Sequence, residues 1–126
     1  MSADMLHQLR QLHRSAQSAE AALLARTEVV YATPAWCAAM YWLRRVQAMR
    51  ERLALCAAAL KGEAHDAETF AALRDLATLD LRRRGEPWQG LDTEAVVAWW
   101  VPRWGWLLAD ARRAAAAPDP INARAA

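Results

Sequence analysis

The stretch from 33 to 62 constrains this chain more than any other, because it reads as one helix that is apolar over almost its whole circumference. Thr33 can accept a hydrogen bond from an early helix N–H, and Pro34 suits the first helical position, where its missing N–H is not needed. Gly62 can close the helix in the left-handed conformation. Between them Ala39, Trp42, Val46, Met49, Leu53, Cys56 and Leu60 alternate in steps of three and four, which draws an apolar seam along a helix. Trp36, Met40, Leu43 and Ala57 widen that seam. The opposite side carries Cys37, Tyr41, Ala48, Leu55 and Ala59. The firmly polar strip is therefore narrow, made of Arg44, Gln47 and Glu51 with Arg45 and Arg52 beside it. A helix apolar nearly all round is buried by several neighbours. Either it is central to the fold, or its second face meets another subunit.

The rest of the chain supplies three more helices. Met5, Leu9, Leu12, Ala16, Ala19, Leu23, Arg26 and Val30 keep the same spacing, which predicts a first helix over residues 4–31 with Arg26 interrupting its seam. Asp66 is a plausible N-cap for a third helix whose stripe is Phe70, Leu73, Leu76 and Ala77, continued by Asp80 and Arg84. Gly85 ends it. Asp92 caps a fourth, with Val96, Val97, Trp100, Trp104, Leu107 and Ala111 inward. Its apolar register carries across Pro102, which predicts a kink rather than a break. Only four glycines occur and 56% of residues are hydrophobic, which argues against a turn-rich β fold. The expected fold is all-α: an antiparallel up-down-up-down four-helix bundle as one domain over residues 1–117, with a flexible C-terminal tail at 118–126.

In that topology the end of the first helix, the start of the second, the end of the third and the start of the fourth meet. The aromatic residues then gather there, with Trp36, Trp42, Trp100 and Trp104 as the wall of a pocket. Arg26 and Asp80 land at similar heights. A buried charge needs a partner, so they are expected to face a common space, with Glu28 and Arg84 as alternative partners. This cluster is either an ion pair that fixes helix pairing or the polar part of a ligand pocket. Trp99, Arg103, Trp106 and Asp110 follow one side of the fourth helix, where Arg103 can lie between two indoles and reach Asp110. Trp and Arg are the residues most enriched at interface hot spots.

Other chemistry has little support. His7, His13 and His65 are scattered, no Glu-x-x-His pair occurs, and Cys37 and Cys56 would stand roughly 28 Å apart on one helix, so neither a metal site nor an internal disulfide is expected. No cofactor motif is present, and the glycines form no phosphate loop. Unpaired cysteines fit a reducing compartment. No signal pattern or bilayer-length apolar run is evident, so a cytoplasmic location is expected. The net charge is +2, and only Lys61 among the basic residues is not Arg. That bias is typical of a GC-rich bacterial genome and carries little functional weight. Nucleic-acid contact through Arg44, Arg45, Arg52, Arg82, Arg83, Arg112 and Arg113 lacks a reader motif. A membrane-surface role for the Trp-rich helix is opposed by Asp92, Glu94 and Asp110.

The expectation is a non-enzymatic helical protein–protein interaction module, an adaptor, chaperone-like factor or assembly subunit. It self-associates as a homodimer or higher oligomer through Cys37, Tyr41 and Leu55 on the second helix, or through Trp99, Arg103 and Trp106 on the fourth. The alternative is a ligand-binding or nucleic-acid-associated regulator that uses the Trp-rich end.

Overall fold

A computed structural model describes residues 2–29, 31–63, 66–86 and 90–117. Those residues form four helices and no strand: α1 (Ser2–Arg26), α2 (Pro34–Leu60), α3 (Ala67–Arg83) and α4 (Thr93–Ala116). The expected tail at 118–126, together with Val30, His65 and Trp88, lies outside the described residues.

Local chemistry sets the helix ends. The Thr33 hydroxyl accepts the Trp36 N–H at 3.2 Å, the Asp66 carboxylate that of Thr69 at 3.1 Å, and the Asp92 carboxylate that of Ala95 at 2.8 Å. Each satisfies one N–H that the first helical turn leaves without a partner. Gly62 and Gly85 follow α2 and α3 at φ +77° and +72°, a region that costs any side-chain-bearing residue strain. The first helix is shorter than the expected 4–31. After Arg26 the chain enters a turn in which the Thr27 hydroxyl donates to the Leu24 carbonyl. Thr27 and Val29 are β-branched and hold a helix poorly, and Ala32 then takes a left-handed φ of +64°.

The core is a contiguous cluster drawn from all four helices. α1 contributes Leu9, Ala16, Ala19 and Leu23, and α2 contributes Leu43, Val46, Met49, Leu53 and Cys56. Ala16 and Ala19 are small and buried, and α1 pairs more extensively with α2 than with any other described helix. α4 buries Val96, Val97, Trp104, Leu108 and Ala111 against both. Leu108 takes the buried place that the sequence pattern assigned to Leu107, and Leu107 and Trp100 are only partly covered. Polar ties reinforce the α1–α2 seam. The Glu20 carboxylate accepts from the Arg50 guanidinium and from the Gln47 amide at 3.3 Å.

The order of the helices in space departs from the up-down-up-down expectation in two ways. First, the Arg26 guanidinium at the end of α1 donates to the carbonyls of Ala115 and Ala117 at the end of α4. Arg26 also shares a small cavity of about 180 Å³ with Pro34, Ala38 and Ala114. The end of α4, not its start, therefore meets the turn between α1 and α2. Second, α3 does not fill a fourth corner. It packs chiefly on α4 and has little direct contact with α2. α1, α2 and α4 form the central three-helix unit, and α3 lies at its side. α4 continues as a helix through Pro102, which is exposed on its outer face.

Candidate functional site

The most distinctive surface follows from the displaced position of α3. Because α3 leans on α4 and leaves α2, a groove of about 870 Å³ opens between α2, α3 and α4. Met49, Leu73, Trp100, Trp104 and Leu107 form its apolar lining, and Arg45 and Arg52 stand on the α2 side. Glu68 and Leu76 face them from α3, and Arg103, Trp106 and Asp110 come from α4. Leu76 is 52% exposed and Trp106 is 64% exposed. Large apolar side chains left in water beside an apolar groove mark an interaction surface more often than a finished one.

The aromatic side chains are held by specific partners. Trp100 and Trp104 stack at 5.3 Å with 23° between their planes, and the Trp100 indole N–H donates to the Leu73 carbonyl at 3.0 Å. Trp99 stands edge-on to Trp100 at 4.9 Å. Its own N–H donates to the Asp80 carboxylate at 2.9 Å. The Arg103 guanidinium lies 3.5 Å from the Trp99 ring centre and 5.8 Å from that of Trp106. It is thus set between the two indoles, as the helical spacing implied. Its carboxylate is a different one, however. Arg103 reaches Asp80 on α3 at 3.2 Å, while Asp110 pairs with Arg113 one turn further along.

Asp80 is the polar hub of the α3–α4 contact. It accepts from Trp99, from Arg103 and from Arg84, the last at 3.0 Å one turn along α3. The Trp99 hydrogen bond, with Arg84 and Arg103 nearby, holds its carboxyl below its ordinary value of 3.8, while partial loss of water opposes the shift.

The common space expected for Arg26 and Asp80 is not formed. Arg26 caps the end of α4 and Asp80 ties α3 to its middle, so the two charges serve different joints. Neither is fully buried. Trp36 and Trp42 are also absent from the groove lining. Trp36 packs on Tyr31 at 4.6 Å beside the α1–α2 turn, and Trp42 stands edge-on to Tyr41 at 5.2 Å. The expected four-tryptophan wall reduces to Trp100 and Trp104, because α4 presents its other end to the start of α2. Arg45 links the two aromatic groups. It lies over the rings of Tyr41 and Trp42 at 5.3 and 5.6 Å, donates to the Tyr41 hydroxyl at 2.5 Å, and borders the groove.

On α2, Cys37 and Tyr41 are exposed as expected, whereas Leu55 is buried within the core cluster. Burial pushes the Cys56 thiol up to about 12, which makes it inert at neutral pH. Among the described residues no three His, Cys, Asp or Glu side chains converge as a metal site would need, and no described helix is long and apolar enough to cross a membrane. The residues that the sequence pattern missed are those of α3 itself. Ala72, Leu73 and Leu76 become a groove wall only because α3 stands away from α2, which no local pattern records.

Fold and site together define an all-helical protein with an open, apolar groove edged by arginine. Comparison with protein-family models, with curated proteins and with solved structures finds no significant match to this chain.

Proposed function

We propose that this chain is a non-enzymatic protein–protein interaction module, an adaptor, chaperone-like factor or assembly subunit, and that the groove between α2, α3 and α4 is its docking surface. The observation that carries this reading is the pairing of an open apolar groove with an exposed Trp106 beside the Arg103 stack. An amphipathic helix laid into a groove of this kind is a common recognition mode, with apolar anchors entering the floor and charges meeting the rim. Trp and Arg supply large, rigid contact area at such sites.

A small-molecule pocket is the less favoured use. Such pockets enclose most of their ligand around a few convergent polar groups. Here the groove is only partly enclosed, and neither Arg26 nor Asp80 lines it. In this reading α1 and α2 form an antiparallel hairpin, and α4 lies beside α1 in the same direction. α4 bends at Pro102, whose ring removes one helical hydrogen bond. Such a bend would let the Trp99–Trp106 side lean toward α3.

The test is site-directed photo-crosslinking in cells that express the full chain. A photoreactive side chain is placed at Ala72 in the groove, and at exposed Ala21 on α1 as the control. Covalent adducts with protein at Ala72 but not at Ala21 are expected. If Ala72 crosslinks to no protein above the Ala21 background, the docking reading fails.

A further inference from the structure

We infer that the groove takes an amphipathic helix of a partner protein, one that carries two carboxylates seven residues apart on a single flank of its apolar face. This rests on the groove being a docking surface and adds the shape and charge of what docks there.

The helical shape follows from what the walls offer. Every lining residue belongs to α2, α3 or α4. Their backbone groups are largely spent within their own helices, so the walls present side chains and no strand edge. A segment that buries its backbone there has to satisfy its own N–H and C=O groups, which an α-helix does and an extended strand does not. Small residues stand where such a helix would approach. Ala48 lies on the α2 wall between Arg45 and Arg52, in steps of three and four, and Ala72 lies on the α3 wall midway between Glu68 and Leu76. Met49, Leu73, Trp104 and Leu107 form the apolar surface beside them, and the exposed Leu76 and Trp106 are what apolar anchors would cover.

The acidic flank follows from charge. Arg45, Arg52, Glu68, Arg103 and Asp110 are the charged side chains of the lining. Arg103 is already paired with Asp80, and Asp110 with Arg113. Of the remainder, Arg45 and Arg52 both stand exposed on α2, and Glu68 alone stands exposed on α3. Arg45 is held by Tyr41 and Trp42 and not by a carboxylate. Among the described residues Arg52 and Glu68 have no ion-pair partner. Glu51, the acid of α2, does not line the groove. The α2 wall is therefore basic at two points seven residues apart, about 10 Å along the helix axis. A helix laid along α2 repeats that separation between its own residues seven apart, on one face. Carboxylates at two such positions meet both guanidiniums, whose planar fork pairs with a carboxylate at two points. Glu68 on the other wall disfavours a segment acidic on both flanks, so charge also selects which flank faces α2.

Two designed helical peptides test this. They share one apolar face of leucines and differ only at two flank positions seven residues apart, glutamate in one and lysine in the other. Fluorescence anisotropy of each labelled peptide with the full chain should show the glutamate peptide binding roughly tenfold more tightly at low salt, with the margin shrinking as salt is added. In the Arg45→Glu, Arg52→Glu variant the order should reverse. That gain of lysine-peptide binding cannot come from a misfolded variant. Arg45→Gln, Arg52→Gln should bind the two peptides equally.

Equal affinity of wild type for the two peptides overturns the inference, and so does a preference that survives the double reversal. A single-stranded oligonucleotide that binds at least as tightly as the glutamate peptide overturns it too, since phosphate would then be the ligand. So does a wild-type dimer in sedimentation that the double reversal dissolves, because a second copy would then fill the groove. If neither peptide binds while Ala72 still crosslinks to a protein, the acidic helix fails and the docking surface stands. Loss of the Ala72 crosslink as well would remove both.

Discussion

The indole N–H of Trp99 donates to the Asp80 carboxylate at 2.9 Å, and this bond joins α3 to α4. Arg103, stacked on Trp99, reaches the same carboxylate from the next turn. Asp80 thus supplies the polar part of the α3–α4 joint. It holds a helix that has only Phe70, Leu73 and Ala77 buried.

Asp80→Asn should loosen α3 selectively. The amide keeps an acceptor for Trp99 but loses the attraction of Arg84 and Arg103. Hydrogen exchange in α3 is expected to quicken, while the core amides of α1, α2 and α4 keep their protection. A uniform acceleration across all four helices would show that α3 is not a separate unit.

The same carboxylate gives the docking of α3 a pH dependence. Its folded value lies below the ordinary 3.8, so the unfolded or detached state takes up protons first. The contribution is fully present above 3.8 and is lost as pH falls through the lowered folded value. Wild type and Asp80→Asn should therefore converge in stability with acidification, measured by urea unfolding at a series of pH values. A gap between them that stays constant into strong acid would contradict this origin.

Arg26→Met should fray the end of α4. It removes two charge-assisted donors from carbonyls that have no helical partner of their own. A cost of about 1–3 kcal/mol is expected from hydrogen bonds of this kind, with exchange quickening at the end of α4 rather than in α3. No change in either would mean that solvent serves those carbonyls equally well.

Leucines in the core and on the groove should respond in opposite ways. Leu23 is fully buried, and Leu23→Ala should cost about 2–5 kcal/mol through lost burial and an incompletely filled cavity. Leu76→Ala should change stability by less than about 0.5 kcal/mol, since the side chain is 52% exposed. Denaturant unfolding of both variants separates the two cases. Equal loss of stability would place Leu76 in the core.

The thiols should differ as sharply. Cys37 is exposed and Cys56 is buried with its thiol pushed up to about 12. A disulfide reagent at mildly alkaline pH should titrate one thiol in the native protein and two after unfolding. Two fast thiols in the native state would mean that the core around Cys56 opens readily.

The four helices, their caps and most of the core follow from local sequence alone. Thr33, Asp66, Asp92, Gly62 and Gly85 act within a few residues of where they stand, and the three-and-four spacing of apolar residues reads out one face of each helix. The stacking of Arg103 between Trp99 and Trp106 belongs to the same class, since side chains three and four apart meet on any helix. α1 ends before its apolar register does, because β-branched Thr27 and Val29 and a left-handed Ala32 outweigh the spacing that continues past Arg26.

Which helix ends meet, where α3 docks, and therefore which carboxylate Arg103 finds depend on long-range packing that no local pattern records. Arg26 and Asp80 had the same claim on each other as on many partners. Their choice is set by α4, whose end presents two backbone carbonyls to Arg26 and whose Trp99 and Arg103 side chains present N–H donors to Asp80. The groove exists for the same reason. An apolar face states that a helix must be covered, but its direction and height against its neighbours depend on how α1, α2 and α4 close on one another. That packing leaves α3 on the flank of α4 with a lane open beside α2.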